Sequence, residues 1–71
     1  MKLERDKYYV RRDDVITRIV CTDRYGYDQQ DLFKPILALY WSEDVGYEKL
    51  CYYTEDGKFK KDGCNPHSFR S

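Results

Sequence analysis

The sequence is short of the features that mark exported, membrane-spanning and linker segments. Only two prolines and four glycines occur in 71 residues, and no low-complexity run separates one part from another. Residues 1–9 (MKLERDKYY) lack the apolar stretch of a secretory signal. No run approaches the roughly 20 apolar residues that a membrane span needs. We therefore expect a single domain over residues 1–71, without membrane contact.

The chain has only three cysteines, which is an odd number. Cys21, Cys51 and Cys64 lie far apart, which favours reduced thiols in a cytoplasm over a disulfide framework. Together with His67 they could supply the ligands of a Cys3His zinc site. Cys21 and Cys51 lie within predicted strands, however, without the paired spacing of a zinc knuckle. We therefore predict buried thiols, no metal and no other cofactor.

Net charge is absent as well. Thirteen basic and thirteen acidic residues give a formal charge of zero, although both ends of the chain are basic and the middle is acidic. A neutral total disfavours a dedicated duplex-DNA binder and equally disfavours an acidic DNA mimic. A regulatory nucleic-acid-binding protein remains one alternative.

Catalytic signatures are also missing, since the chain has no GxSxG, P-loop or HExxH motif and no glycine-rich phosphate cradle. Cys64, His67 and Asp62 could combine a nucleophile, a base and an acid. Their closeness in sequence is no evidence for the geometry that such a site requires. We predict a protein that is not an enzyme and has no catalytic residue.

Strand-forming sequence is plentiful. Five segments have the composition of strands: residues 7–13, 15–23, 36–41, 47–54 and 58–61. Asp13-Asp14 suits a tight turn between the first two. Asp56-Gly57 favours a type I′ hairpin between the last two, because both central positions of that turn need positive φ. Residues 24–35 predict a long loop with room for one short helical turn around residues 29–33.

Alternation along the central strands leaves both faces of the predicted sheet apolar. The opposing sets are Val15, Ile19 and Cys21 against Ile16 and Val20, and Ile36, Ala38 and Tyr40 against Leu37, Leu39 and Trp41. A small sheet with little helix cannot cover two apolar faces by itself. We therefore predict a mainly β fold, a small antiparallel sheet of four to five strands. It is strongly curled or barrel-like, with at most one short helical turn, and forms a homo-oligomer.

Aromatic and basic residues interleave near both ends of the chain. Tyrosine rings stack on bases, and lysine and arginine neutralise phosphates, which is the chemistry of nucleotide capture. The candidate ligand-binding residues are Tyr9, Arg12, Tyr53, Lys58 and Lys60. The alternative is structural, because tyrosine is favoured in strands and interfaces, and lysines protect an edge strand from aggregation.

Several short motifs follow one another along the chain. They are Tyr8, Arg11 to Val15, Ile19 to Asp23, Pro35-Ile36, Thr54 to Phe59 and Asn65 to Phe69. In this order they resemble a broad group of short phage and prophage proteins. Those proteins have the pattern Y-x-R-x-D-G-x-x-V-x-I-x-x-T-D, a Y-P-I element, a W-T-x-D-G-x-Y hairpin and a terminal S-P-x-D-L. This chain departs from the pattern at Asp14, Lys34 and Tyr53, where Gly, an aromatic residue and Trp are usual.

The resemblance implies a compact β protein that is made by a virus or prophage and acts in the bacterial cytoplasm. Small phage proteins of this size often act by binding, and no residue role follows from the resemblance. We expect a phage-encoded inhibitor that occludes a host protein complex of antiviral defence, such as a CRISPR effector. The alternative is a protein that sequesters a cyclic-nucleotide defence signal.

Overall fold

The computed structural model, which describes residues 2–61 and 65–70, contains one four-stranded antiparallel sheet. Its strands are β1 (Tyr8–Val10), β2 (Ile16–Cys21), β3 (Ile36–Ser42) and β4 (Tyr47–Tyr53), and they lie side by side in chain order. The predicted mainly β class is confirmed. No helix in the described part of the chain is long and apolar enough to cross a membrane.

The turn between β1 and β2 forms where the aspartate pair predicts it. Asp14 adopts a left-handed φ of 68°, a conformation that aspartate tolerates better than most residues. The Arg11 amide donates to the Val15 carbonyl at 3.0 Å, and the Asp14 amide donates to the Arg11 carbonyl at 3.0 Å. The Asp13 carboxylate accepts a further bond from the Val15 amide. Backbone and side chain therefore close this turn together.

The predicted fifth strand does not form. Gly57 has a φ of 83°, but Asp56 does not share a positive φ, so the type I′ turn is absent. The Thr54 amide donates to the Lys58 carbonyl at 3.1 Å, and the chain then leaves the sheet. Residues 58–61 are irregular. Phe59 turns toward the core, where its ring centroid lies 5.9 Å from that of Tyr53.

One face of the sheet is covered by the two ends of the chain. The buried residues of this covered face are Leu3, Ile19, Ile36, Ala38, Cys51, Tyr53 and Phe69, with Tyr9, Tyr40 and Phe59 packed against them. Phe69 folds back onto this face, and its ring centroid lies 4.3 Å from that of Tyr53.

The sheet is open, and the strongly curled or barrel-like form predicted from the sequence is wrong. The prediction assumed that the sheet must close to bury its apolar residues. Instead, Leu3, Phe59 and Phe69 come from segments outside the strands and cover one face without closure. The opposite face remains exposed.

The two edges of the sheet also differ. Along β1, the Arg12 amide donates to the Ser68 carbonyl at 2.9 Å, and the Arg70 amide donates to the Val10 carbonyl at 3.1 Å. The C-terminal segment therefore occupies this edge. Among residues 2–61 and 65–70, no segment pairs with the outer edge of β4.

Candidate functional site

The uncovered side of the sheet, here called the open face, is a largely apolar surface. One row of it crosses all four strands through Tyr8, Arg18, Leu39 and Leu50. The large apolar side chains that this face exposes are Tyr8, Val10, Ile16, Trp41, Leu50 and Tyr52. They are contiguous because residues two apart on each strand share a face and the strands are in register.

An ion pair lies in the middle of the open face. Arg18 on β2 reaches over β3, and its Nη2 lies 3.5 Å from both carboxylate oxygens of Glu48 on β4. Both side chains remain partly exposed. Exposed pairs of this kind stabilise a fold by about 0 to 1 kcal/mol. The pair therefore contributes more to the chemistry of the surface than to stability.

A cleft of about 700 Å³ lies beside β4, between the long loop of residues 22–35 and the segment that follows β4. Its lining combines cations with aromatic rings. The residues that matter for its chemistry are Arg11, Arg24, Lys34, Tyr27, Phe59 and His67.

Arg11 is almost completely buried at one end of this cleft. Its Nε donates to Asp13 at 3.0 Å, and its Nη2 contacts the second Asp13 oxygen and lies 2.5 Å from His67 Nδ1. The guanidinium carbon lies 4.6 Å from the ring centroid of Tyr40. The hydrogen bond from Arg11 holds the pKa of Asp13 below its usual range. The buried charge is thus neutralised within the fold.

Lys34 is the second buried cation and fastens the long loop to the segment after β4. Its Nζ donates to the Phe59 carbonyl at 2.7 Å and lies 3.0 Å from an Asp28 carboxylate oxygen. Asp28 also accepts the amides of Gln30 and Leu32. The Leu32 amide and then Lys34 lower the pKa of Asp28 to about 2. This carboxylate organises the loop.

Arg24 completes the set of cations. Its Nη2 donates to the Lys34 carbonyl at 2.9 Å, and its guanidinium carbon lies 4.1 Å from the ring centroid of Tyr52. Its Nε is buried and has no hydrogen-bond partner among residues 2–61 and 65–70. Gly26 makes room for this arrangement, because a Cβ there would overlap the Arg24 guanidinium.

The long loop also carries three aromatic rings that pack on one another. Tyr27 and Phe33 form a β-bridge with ring centroids 5.3 Å apart, and Tyr25 lies 5.8 Å from Tyr27. Tyr25 and Tyr27 are 82% and 56% exposed. Exposed tyrosines in such a cluster offer ring faces to a ligand.

The structure disperses the five candidate ligand-binding residues. Tyr53 is fully buried, and Tyr9 is half-buried with its ring 5.8 Å from Phe69. Arg12 is exposed near the β1–β2 turn. Lys58 is exposed beside Asp56, and Lys60 lies over the ring of Phe59. The two tyrosines meet around Phe69 in the core, and the three basic residues do not join them in a common pocket.

Sequence reasoning missed the cleft because it assigned the long loop to the acidic middle of the chain. The signal was present in residues 24–34 (RYGYDQQDLFK), where aromatic and basic residues interleave as they do at the chain ends. Arg11 was equally hidden, since a strand pattern does not show that a cation is buried.

Two of the thiols that the sequence predicts to be buried lie in the described residues: Cys51 is buried, and Cys21 is only partly buried. Within residues 2–61 and 65–70, no group of three or more His, Cys, Asp or Glu side chains is placed to hold a metal. Burial raises the pKa of the Cys51 thiol, which favours its protonated, unreactive form. Cys64 and Asp62, which the zinc and nucleophile alternatives require, lie outside the described residues.

The comparisons with known proteins give no family to which the chain can be assigned. No family model, no curated protein sequence and no solved structure matches it. What defines the molecule is therefore its own geometry: a small open-faced antiparallel β protein with a cationic, aromatic cleft beside one edge.

Proposed function

We propose that this chain is a non-enzymatic binding protein that occupies a surface of another protein through the open face of its sheet. The observation that carries the proposal is the contiguous apolar surface of that face. In a chain this small, leaving Ile16, Trp41 and Leu50 more than half exposed is unfavourable unless a partner covers them.

The size of the face supports a partner protein. Strands about 4.8 Å apart and residues about 3.3 Å apart along each strand give it a footprint of roughly 400 Å². Apolar patches of roughly 300 to 600 Å² on monomers are often functional. A stable interface buries about 800 Å² on each partner. The occupant must therefore reach beyond the sheet, for example to Val45, which is exposed at the β3–β4 turn.

The residue types support a foreign partner over a permanent second copy. Trp, Tyr and Arg dominate interface hot spots, and the face presents Trp41, Tyr8, Tyr52 and Arg18. Obligate dimer interfaces resemble a bisected apolar core. The Arg18–Glu48 pair in the middle of this face is out of place in such an interface and suits a partner with complementary charges.

The biological setting of the proposal comes from the resemblance to short phage and prophage proteins. In that setting the partner is a host protein complex in the bacterial cytoplasm, and binding inhibits antiviral defence, such as a CRISPR effector, by occlusion. The homo-oligomer predicted from the sequence would use the same face and stays a prediction. A second copy is thus the competing occupant.

The test combines capture with measured affinity. The chain is used to capture proteins from lysate of a bacterial host, and each captured complex is purified and titrated with wild type and with Trp41→Glu and Ile16→Glu. We expect each substitution to weaken binding at least about 30-fold, the equivalent of a 2 kcal/mol hot spot. Tyr25→Glu alters an even more exposed aromatic residue on the loop and should leave the affinity unchanged.

Two results would overturn the proposal. One is a captured complex whose affinity is the same for the open-face variants and wild type. The other is sedimentation equilibrium showing a stable dimer that Trp41→Glu dissociates, together with no partner that depends on the face. The second result would assign the open face to self-association.

A further inference from the structure

The cleft beside β4 holds more positive than negative charge. Arg11, Arg24 and Lys34 line it, and the first and last are almost fully buried. Asp13 neutralises the first, and Asp28 neutralises the last. Within the described residues, Arg24 has no carboxylate at salt-bridge distance. Three cations against two carboxylates leave the half-buried Arg24 without a counter-charge, and the cleft has room for an anion beside it.

Arg24 and Lys34, which both line the cleft, have hydrogen-bond donors that the described residues do not use. The Lys34 ammonium has three hydrogens, and two of them face the Phe59 carbonyl and Asp28. The Arg24 Nε is buried, and no partner for it occurs in the described part of the chain. The carbonyl of Lys34 accepts from Arg24 Nη2, so the two cationic residues are adjacent. A phosphate offers several acceptor oxygens with negative charge, and it can satisfy both residues at once.

A ring surface lies next to these donors. Tyr27 lines the cleft and is more than half exposed, and its loop neighbours Tyr25 and Phe33 hold it in place. Aromatic side chains beside a positively charged groove are the combination that binds nucleotide bases and phosphates together. The cleft thus presents a flat apolar wall and a site for an anion within one cavity.

We propose that this cleft binds a small nucleotide, with the phosphate at Arg24 and Lys34 and the base against Tyr27. Its volume of about 700 Å³ is that of a small-molecule site, for which roughly 300 to 1,000 Å³ is usual. The proposed nucleotide site is thus the cleft beside the long loop, and not the five candidate residues named from the sequence. The cleft meets the open face at Leu50 and Tyr52, which belong to both, but the proposed phosphate site at Arg24 and Lys34 does not rest on the partner proposed for that face.

The first experiment separates the two halves of the ligand. Melting temperature is measured with AMP, GMP and cyclic di-AMP, and with adenosine and inorganic phosphate as the ring and the anion alone. A short oligothymidylate tests whether the nucleotide must be part of a strand. We expect at least one small nucleotide to raise the melting temperature by roughly 10 °C at about 100 times its Kd. Adenosine and phosphate at that concentration should give much smaller shifts.

The second experiment removes the charge of Arg24 in one variant and displaces it in another. By isothermal titration calorimetry, Arg24→Gln should weaken the best nucleotide at least about 10-fold, because a charge-assisted contact is lost. Gly26→Ala keeps every charge but displaces the Arg24 guanidinium, so it should also weaken binding. Arg12→Gln removes an exposed charge outside the cleft and is the matched control. Trp41→Glu, on the open face, should leave nucleotide affinity unchanged.

Circular dichroism shows whether each variant folds. If Arg24→Gln does not fold, the affinity of Gly26→Ala tests the proposal in its place. The proposal is overturned if no small nucleotide shifts the melting temperature, or if adenosine matches AMP. It is also overturned if only oligothymidylate binds, or if the affinity of the folded Gly26→Ala variant equals that of wild type.

Discussion

Ile16 and Ile19 lie three residues apart on β2, yet the first is 61% exposed and the second is completely buried. Both residues are isoleucines on the same strand, but their side chains lie on opposite faces of the sheet. Burial of the covered face depends on Leu3, Phe59 and Phe69, which lie outside the strands. Apolar alternation therefore fixes which residues share a face, whereas distant segments decide which face becomes the core.

The sharpest test of this comparison is truncation of each isoleucine. Ile19→Ala should lower the free energy of unfolding by about 2 to 5 kcal/mol, because it removes buried methyl groups and leaves a cavity. Ile16→Ala should change it by no more than about 0.5 kcal/mol. Urea denaturation at low protein concentration measures both. Ile19→Val, at about 0.5 to 1.5 kcal/mol, replaces Ile19→Ala if that variant does not fold. Equal losses at the two positions would mean that the open face is covered in solution.

The ion pairs of the two faces provide the next largest contrast. Asp13→Asn removes the counter-charge of the buried Arg11 and should cost about 2 to 3 kcal/mol. Glu48→Gln breaks the exposed pair with Arg18 and should cost at most about 1 kcal/mol. Chemical denaturation at low and high salt distinguishes them, because salt screens an exposed pair more effectively. A larger loss for Glu48→Gln would contradict this assignment.

The parts of the fold that depend on residues close together in the sequence could be predicted. β2, β3 and β4 follow from runs of strand-forming residues, and the first turn follows from Asp13-Asp14. The fifth strand failed because Asp56 does not adopt the positive φ that a returning strand required. One dihedral angle at a turn thus changed the strand count.

The candidate site was less predictable because it depends on contacts between distant segments. Tyr53 is of a residue type that can stack on a base, but Phe59 and Phe69 bury it in the core. Arg24 becomes part of a cleft only because Lys34 and Tyr52 hold its guanidinium in place. No local pattern contains these contacts, which bring together residues of the loop, the sheet and the C-terminal segment.

Acid should weaken the contacts through which Asp28 holds the long loop. The pKa of Asp28 falls from an ordinary 3.8 to about 2 in the folded protein, chiefly through the Leu32 amide and then Lys34. The unfolded state therefore binds more protons between these values. The stabilisation is fully present above pH 3.8 and is lost as the pH falls toward about 2. Melting temperature should fall more steeply over this range in wild type than in Asp28→Asn.

Asp44→Asn is the control for this titration, because Asp44 is an exposed carboxylate in the β3–β4 turn. Its acid dependence should follow that of wild type. If the melting temperature of Asp28→Asn had the same acid dependence as wild type, the contacts of Asp28 with the long loop would not contribute to stability.

The smallest expected effect concerns two threonine hydroxyls in opposite environments. Thr17 is fully buried on the covered face, paired across the strands with Tyr9 and Tyr40, and its Oγ1 has no hydrogen-bond partner within the described residues. Thr54 Oγ1 donates to Asp56 at 2.6 Å and accepts the Lys58 amide at 3.0 Å. A buried hydroxyl without a partner destabilises a fold, whereas a bonded one stabilises it.

Replacement of each threonine by valine should therefore have opposite signs. Thr17→Val should raise the free energy of unfolding by about 1 kcal/mol, and Thr54→Val should lower it by a similar amount. In a domain of this size each change shifts the melting temperature by roughly 4 to 8 °C, which calorimetry resolves. A loss of stability in Thr17→Val would show that its hydroxyl is satisfied in solution, for example by a water molecule between the sheet and the tyrosine rings. The covered face would then be less dry than its packing indicates, and its contrast with the open face would be one of degree.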